Sequence, residues 1–233
     1  MKKLLTIVGM LVVLTVLRTP NLQAGVTIEI GPKFGLNLAS FAGKTDVDSA
    51  DIYRSADAGY IVGALTGGMV AVHLNERWAV RTEVLYSMKG ADWDASTTIG
   101  DTNYSEIVWT RLDYVEIPVL AQFSIPTAGR LKPYLFAGPA VAFNIATEWK
   151  IEDEGFVGGT KVYYFSKYTD DIPDVKDTQF EVVVGGGLNL GWGTTKVSIE
   201  GRYTAGLEKA REGADFRHSV FGITAGISFS VLQ

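Results

Sequence analysis

Ten charged residues stand singly within apolar or small-residue stretches: Glu29 and Lys33, then Arg81, Glu83 and Lys89, Glu116, Glu181, and finally Lys196, Glu200 and Arg202. Facing one another across a narrow channel, such groups could relay protons or line an ion path. They are also five acids against five bases, and an unpaired ion removed from water costs several kcal/mol. The expected arrangement is therefore a mutually neutralising plug. A narrow conduit for ions or small solutes is the alternative.

Other constellations are poorer. The two histidines, His73 and His218, fall near opposite ends of the strand pattern, so they are not expected to meet. A hydrolytic triad would need His218 beside Ser219 or Ser166 and an acid from a connecting loop, and no spacing calls for one. The run Gly185 to Gly191 lacks the following helix of a phosphate loop, and its glycines instead suit a crowded interior. Glu152, Asp153, Glu154, Asp170, Asp171, Asp174 and Asp177 supply the oxygens calcium prefers, but at no recognised spacing. They read as a solvated surface. Tyr163, Tyr164, Phe165 and Tyr168 lie among these acids and could fold over a barrel mouth or meet a partner. Asn103-Tyr104-Ser105 matches a glycosylation sequon that carries little weight in a bacterial-type exported chain. No catalytic residue, metal site or cofactor is expected.

The elements that position the ten charges have a period of two, which marks strands with one apolar and one polar face. The terminal segment is the clearest. Phe221, Ile223, Ala225, Ile227, Phe229 and Val231 share one face, while Gly222, Thr224, Gly226, Ser228 and Ser230 share the other. The same alternation predicts strands over 27–39, 77–89, 112–124, 132–146, 178–191 and 195–207, with the ten charges on the polar side. A further strand over 59–74 is apolar on both faces, so its orientation stays open.

Short links near 75–76, 126–130 and 192–193 alternate with longer polar ones over 40–58, 90–111, 147–177 and 208–216. Sorted in this way, short turns and long loops lie on opposite rims, and both termini fall on the short-turn rim. Tyr60, Trp78, Trp109, Tyr134, Phe143, Trp192 and Phe229 are candidates for interfacial girdles. The fold expected is all-β: an antiparallel, up-and-down transmembrane β-barrel of about eight strands. A soluble lipocalin-like barrel would need an apolar interior, and this one is charged.

Residues 1–24 read as a signal peptide. Lys2 and Lys3 precede an apolar core from Leu4 to Leu17, and Gln23-Ala24-Gly25 offers a cleavage site. The barrel domain is then 25–233. Cleavage removes three cations and no acid, leaving 18 basic against 26 acidic residues, a net charge of −8. That balance speaks against nucleic acid as a partner. The chain has no cysteine, hence no disulfide and no thiolate chemistry.

Several segments carry a family resemblance. They are Gly31-Pro32-Lys33-Phe34-Gly35-Leu36-Asn37, the stretch from Trp78 to Gly90, and Leu112 to Pro118 (LDYVEIP). Lys132 to Pro139 (KPYLFAGP) and the glycine-rich strand at 178–191 complete the set. The chain resembles the PorT-type outer-membrane β-barrel proteins of Bacteroidota over nearly all of its mature length. The resemblance implies a small barrel in the cell outer membrane without a defined activity, in contact with outer-membrane lipid and the barrel-assembly machinery. It also implies a possible protein partner at extracellular loops or in a secretion complex. The function expected is non-enzymatic, exerted through extracellular loops or partner proteins. Narrow-pore or small-solute transport is the alternative.

Overall fold

The computed structural model describes residues 27–44, 58–169, 175–210 and 215–232, and the expected signal peptide lies outside them. Nine strands follow one another without a helix among the described residues. They are β1 (Thr27–Lys44), β2 (Ile61–His73), β3 (Trp78–Ile99), β4 (Thr102–Ser124), β5 (Leu131–Val157), β6 (Thr160–Thr169), β7 (Thr178–Trp192), β8 (Thr195–Gly206) and β9 (Asp215–Leu232). Every pairing is antiparallel. Eight strands close a ring in the order β4-β3-β2-β1-β9-β8-β7-β5, with β5 pairing back onto β4. β6 stands outside that ring, paired among the described residues with β5 alone. Closure leaves no unpaired edge within the ring, the condition for strands to cross a bilayer.

Alternation of side chains sets the two surfaces. Phe34, Leu36, Ile199 and Ile223 are each about three-fifths exposed, whereas Glu29, Lys33, Glu200 and Thr224 on the same strands are buried. In water such an apolar exterior would be unstable; in lipid it is the solvated face. β2 resolves its open orientation in the same way: Ile61, Leu65 and Ala71 are buried inside and Val62 and Val70 face out.

The exterior band can be measured along β3. It begins at Trp78, whose ring packs tilted against Phe123 at 4.9 Å between centroids. It ends at Tyr86, whose hydroxyl donates to Asp113 (2.7 Å) beside Arg111 (2.9 Å from Asp113). The eight steps from Trp78 to Tyr86, at about 3.4 Å each and inclined at roughly 40°, span about 20 Å of membrane normal, close to the apolar band of such barrels.

The polar segments 90–111 and 147–177, expected as loops, are largely strand. β3 and β4 stay paired to a tight turn at Gly100-Asp101, and β5 and β6 to Gly158-Gly159. The positive φ angles at Gly100 (62°), Gly158 (56°) and Gly159 (81°) are those a two-residue hairpin turn requires. β3, β4, β5 and β6 thus form a four-stranded sheet rising beyond the long-loop rim. At the opposite rim the links are short: 74–77, 125–130 and 193–194. The Asn75 side-chain oxygen accepts the N–H groups of Arg77 and Trp78, both at 2.9 Å, and so fixes the first of these turns.

Candidate functional site: the charged lumen

All ten charges lie on inward-facing positions, and the structure sorts them into two groups. Eight join in one network. Lys33 of β1 bridges Glu83 of β3 (2.7 Å) and Glu200 of β8. Arg81 reaches Glu200 (2.7 Å) and lies 3.0 Å from Glu83. Arg202 spans Glu83 (2.7 Å) and Glu116 (3.2 Å). Lys89 closes the chain against Glu116 (3.0 Å) and Glu181 (2.6 Å). Four acids meet four bases, and β1, β3, β4, β7 and β8 are tied together across the lumen.

The remaining pair, Glu29 and Lys196, stands apart at the short-turn rim. There the Lys196 ammonium contacts Glu29, and His73 Nε2 lies 2.9 Å from the same carboxylate. Glu29 therefore links the start of β1 to the end of β2 and to β8.

Neutral groups complete the central network. Tyr134 donates its hydroxyl to Glu200 (2.6 Å), and Arg81 donates to the Gln122 side-chain oxygen (3.1 Å). The Arg81 guanidinium also lies over the Phe136 ring, 4.4 Å from its centroid. Arg81 and Arg202 are 1% and 2% exposed, so no water-filled path passes beside them. Cations so deeply buried are tolerated only because each touches two carboxylates.

Space is kept for this packing by the glycines of β7. A Cβ on Gly185 would sit 2.4 Å from the Phe136 ring, and one on Gly187 would sit 2.7 Å from the Tyr134 hydroxyl. The aromatic side chains of β5 therefore occupy volume that β7 leaves empty.

A second layer closes the lumen toward the long-loop rim. Lys89 lies 5.3 Å from the Tyr114 ring centroid, and Tyr114 shares a 3.1 Å hydrogen bond with His218 Nε2. Phe41 covers His218 (5.0 Å between ring centroids) and packs on Phe216 (4.6 Å) and Trp93 (5.6 Å). Sequence reasoning missed this lid because Phe41, Trp93 and Phe216 fall in segments assigned to loops or their edges. Their signal was the uninterrupted alternation with inward Ala39 and Ala91.

Tyr134, a girdle candidate, is instead buried in the lumen, and Trp109 packs partly against buried Ala39, Ile61 and Val220. Tyr60, Trp78, Trp192 and Phe229 do remain exposed on the outside. His73 and His218 lie at opposite rims. Ser219 shares a hydrogen bond with Tyr203 (3.0 Å) while His218 is held by Tyr114, so these neighbours face opposite sides of the wall. In the acidic segment Glu152 pairs with Lys150 (2.7 Å) and Glu154 with Lys161; residues 170–174 lie outside the described residues. Lys150 holds the exposed Glu152 carboxyl below its ordinary range. Among the described residues no cluster of His, Asp and Glu gathers as a metal site.

A closed antiparallel ring with an apolar exterior and an ion-paired interior defines an integral transmembrane β-barrel protein. The chain belongs to the outer membrane protein beta-barrel domain family, whose model matches residues 21–211. It is accordingly a protein of the outer membrane. No curated protein matches it at a significant level.

Among solved structures it is similar to outer membrane protein AlkL in DMPC lipid bilayers, at 15% identity over 93% of this chain and 96% of that one, with a TM-score of 0.50. It is also similar to Neisserial surface protein A, at 14% identity over 88% and 98% of the two chains and a TM-score of 0.45. OprG from Pseudomonas aeruginosa matches at 10% identity over 89% and 96%, again with a TM-score of 0.45. These likenesses concern the fold.

Proposed function

We propose that this protein is a closed, non-enzymatic outer-membrane barrel that acts through its extracellular sheet and the partners that sheet engages. The observation that carries this reading is the pairing of all eight central lumen charges, none of which is left to meet a passing ion. An eight-stranded barrel has an interior about filled by its own side chains, and the aromatic lid adds a second closure. The PorT-type motifs of strands β1, β3, β4, β5 and β7 support membership of that group in Bacteroidota, with removal of a signal peptide at 1–24 and insertion by the barrel-assembly machinery. A secretion complex is one setting in which an extracellular sheet would meet a partner.

The test is solute uptake. Vesicles carrying the refolded chain should swell in sugar and amino-acid solutions no faster than protein-free vesicles. Faster swelling would replace this reading with small-solute transport.

A further inference from the structure

The extracellular sheet ends in an edge that the barrel does not close. β6 pairs with β5 on one side, and among the described residues with nothing on the other. Nine of its ten residues are exposed, including Val162, Tyr163, Tyr164, Phe165 and Tyr168, whose exposures run from 43% to 60%. A long exposed strand rich in aromatic side chains is a template for another strand, and proteins ordinarily blunt such edges. Here, among the described residues, no strand pairs with the outer edge over 161–168.

We propose that this edge binds a second copy of itself, joining two protein molecules in apposed membranes through antiparallel β6–β6 pairing. This rests on the reading that the extracellular sheet is the working part of the molecule. An antiparallel strand pair is self-complementary about a two-fold axis, so one edge suffices for both partners.

Charge fits the same occupant. β6 carries Lys161 and Lys167 and no acid, and Lys161 is already held by Glu154 beside the Tyr164 ring, 5.2 Å from its centroid. Identical strands related by a two-fold normal to their sheet keep each residue on its own face, so the axis passes through a residue pair. Pairing centred on Phe165 sets Lys161 opposite Thr169 and Lys167 opposite Tyr163. Lysine does not meet lysine there, as it would in pairing centred on Tyr164, and the two Phe165 side chains meet across the seam.

Direction decides where the two copies stand. Thr160 lies opposite Val157 at the distal tip, and Thr169 lies opposite Trp149 nearer the membrane. An antiparallel partner runs the other way, so its membrane lies beyond this molecule's tip. Two copies in one membrane cannot make the contact; two facing membranes can, merging their sheets into one of eight strands. A single contact of one short strand is small, and many copies on each surface supply the avidity.

The experiment uses the chain refolded into two sets of DMPC vesicles carrying donor and acceptor lipid dyes. Wild-type vesicles should cluster, and energy transfer between the sets should rise above that of protein-free vesicles. Phe165→Lys, which puts like charges together near the two-fold, should weaken clustering roughly tenfold. Because the chain has no native cysteine, Phe165→Cys treated with a mild oxidant that takes up the two thiol electrons should yield a disulfide-linked dimer between vesicles, and Ala128→Cys in a short turn should not. Each variant is checked for the heat-sensitive folded band, and the cysteine pair alone decides the matter if the lysine variant does not fold. Absence of wild-type clustering, clustering unchanged in Phe165→Lys, or equal crosslinking of the two cysteine variants overturns self-pairing. Those outcomes leave the extracellular-binding reading standing, with a foreign strand as the occupant, whereas vesicle swelling would remove that reading separately.

Discussion

Glu83 is the point at which the lumen network is most exposed to perturbation. Its two carboxylate oxygens meet Lys33 at 2.7 Å, Arg81 at 3.0 Å and Arg202 at 2.7 Å. Glu83→Gln keeps the volume but removes the charge, so four buried cations face three acids. Breaking a buried pair ordinarily costs about 3–5 kcal/mol. The cost here falls at the low end, about 3 kcal/mol, because Lys33 and Arg81 keep Glu200 and Arg202 keeps Glu116.

The assay is urea unfolding of the refolded protein in vesicles, followed by the fluorescence of its five tryptophans. The loss is read as a lower midpoint at unchanged slope. Pairing Glu83→Gln with Lys33→Met restores neutrality, so the double variant should be more stable than the sum of the singles predicts, by about 1–2 kcal/mol. A single variant within about 0.5 kcal/mol of wild type, or additivity within about 0.5 kcal/mol, would refute the idea that these charges hold one another.

Further perturbations separate packing, closure and surface charge. Gly187→Ala drives a methyl group to 2.7 Å from the Tyr134 hydroxyl and 2.8 Å from Glu200 Cγ, and should cost about 1–3 kcal/mol. Gly191→Ala meets nothing nearer than 4.0 Å and should be close to neutral, so equal effects in urea unfolding would count against the crowding argument. Trp93→Ala removes a wall of the aromatic lid but leaves the Lys89–Glu116–Glu181 layer beneath it. Planar-bilayer recording should stay at baseline, and openings in this variant would place the seal in the lid.

Lys150→Met should leave the thermal midpoint unchanged, because the Lys150–Glu152 pair is exposed and screened. The lowered Glu152 carboxyl would contribute stability only above its unfolded range and lose it as pH falls, so a neutral-pH midpoint lower in this variant than in wild type, with the gap closing in acid, would show the pair to be structural.

Much of this architecture is legible wherever lipid imposes a rule. Outward Val80, Val84, Val119, Phe180 and Ile223 alternate with inward Arg81, Glu83, Glu116, Glu181 and Thr224 because one face meets hydrocarbon and the other does not. The rule lapses in β2, where Ile61 and Leu65 are as apolar as Val62 and Val70, and there only the pairing with β1 and β3 decides. It lapses again above the membrane. Around Lys150-Ile151-Glu152 both faces are partly exposed, and there, as at Thr97-Thr98, the segments read as polar loops although they continue the ladder. The Gly158-Gly159 pair was the local sign of a hairpin there. The choice of partners among the ten charges was not legible either. Glu83 and Arg202 lie far apart in sequence, and only the register of the closed ring brings them to 2.7 Å.

The central claim is that the lumen is shut, and single-channel recording of the refolded chain in a planar bilayer tests it most directly. With a heat-sensitive folded band confirmed beforehand, the account predicts no steady conductance at either polarity. Discrete, ion-selective openings of the wild-type protein would contradict it.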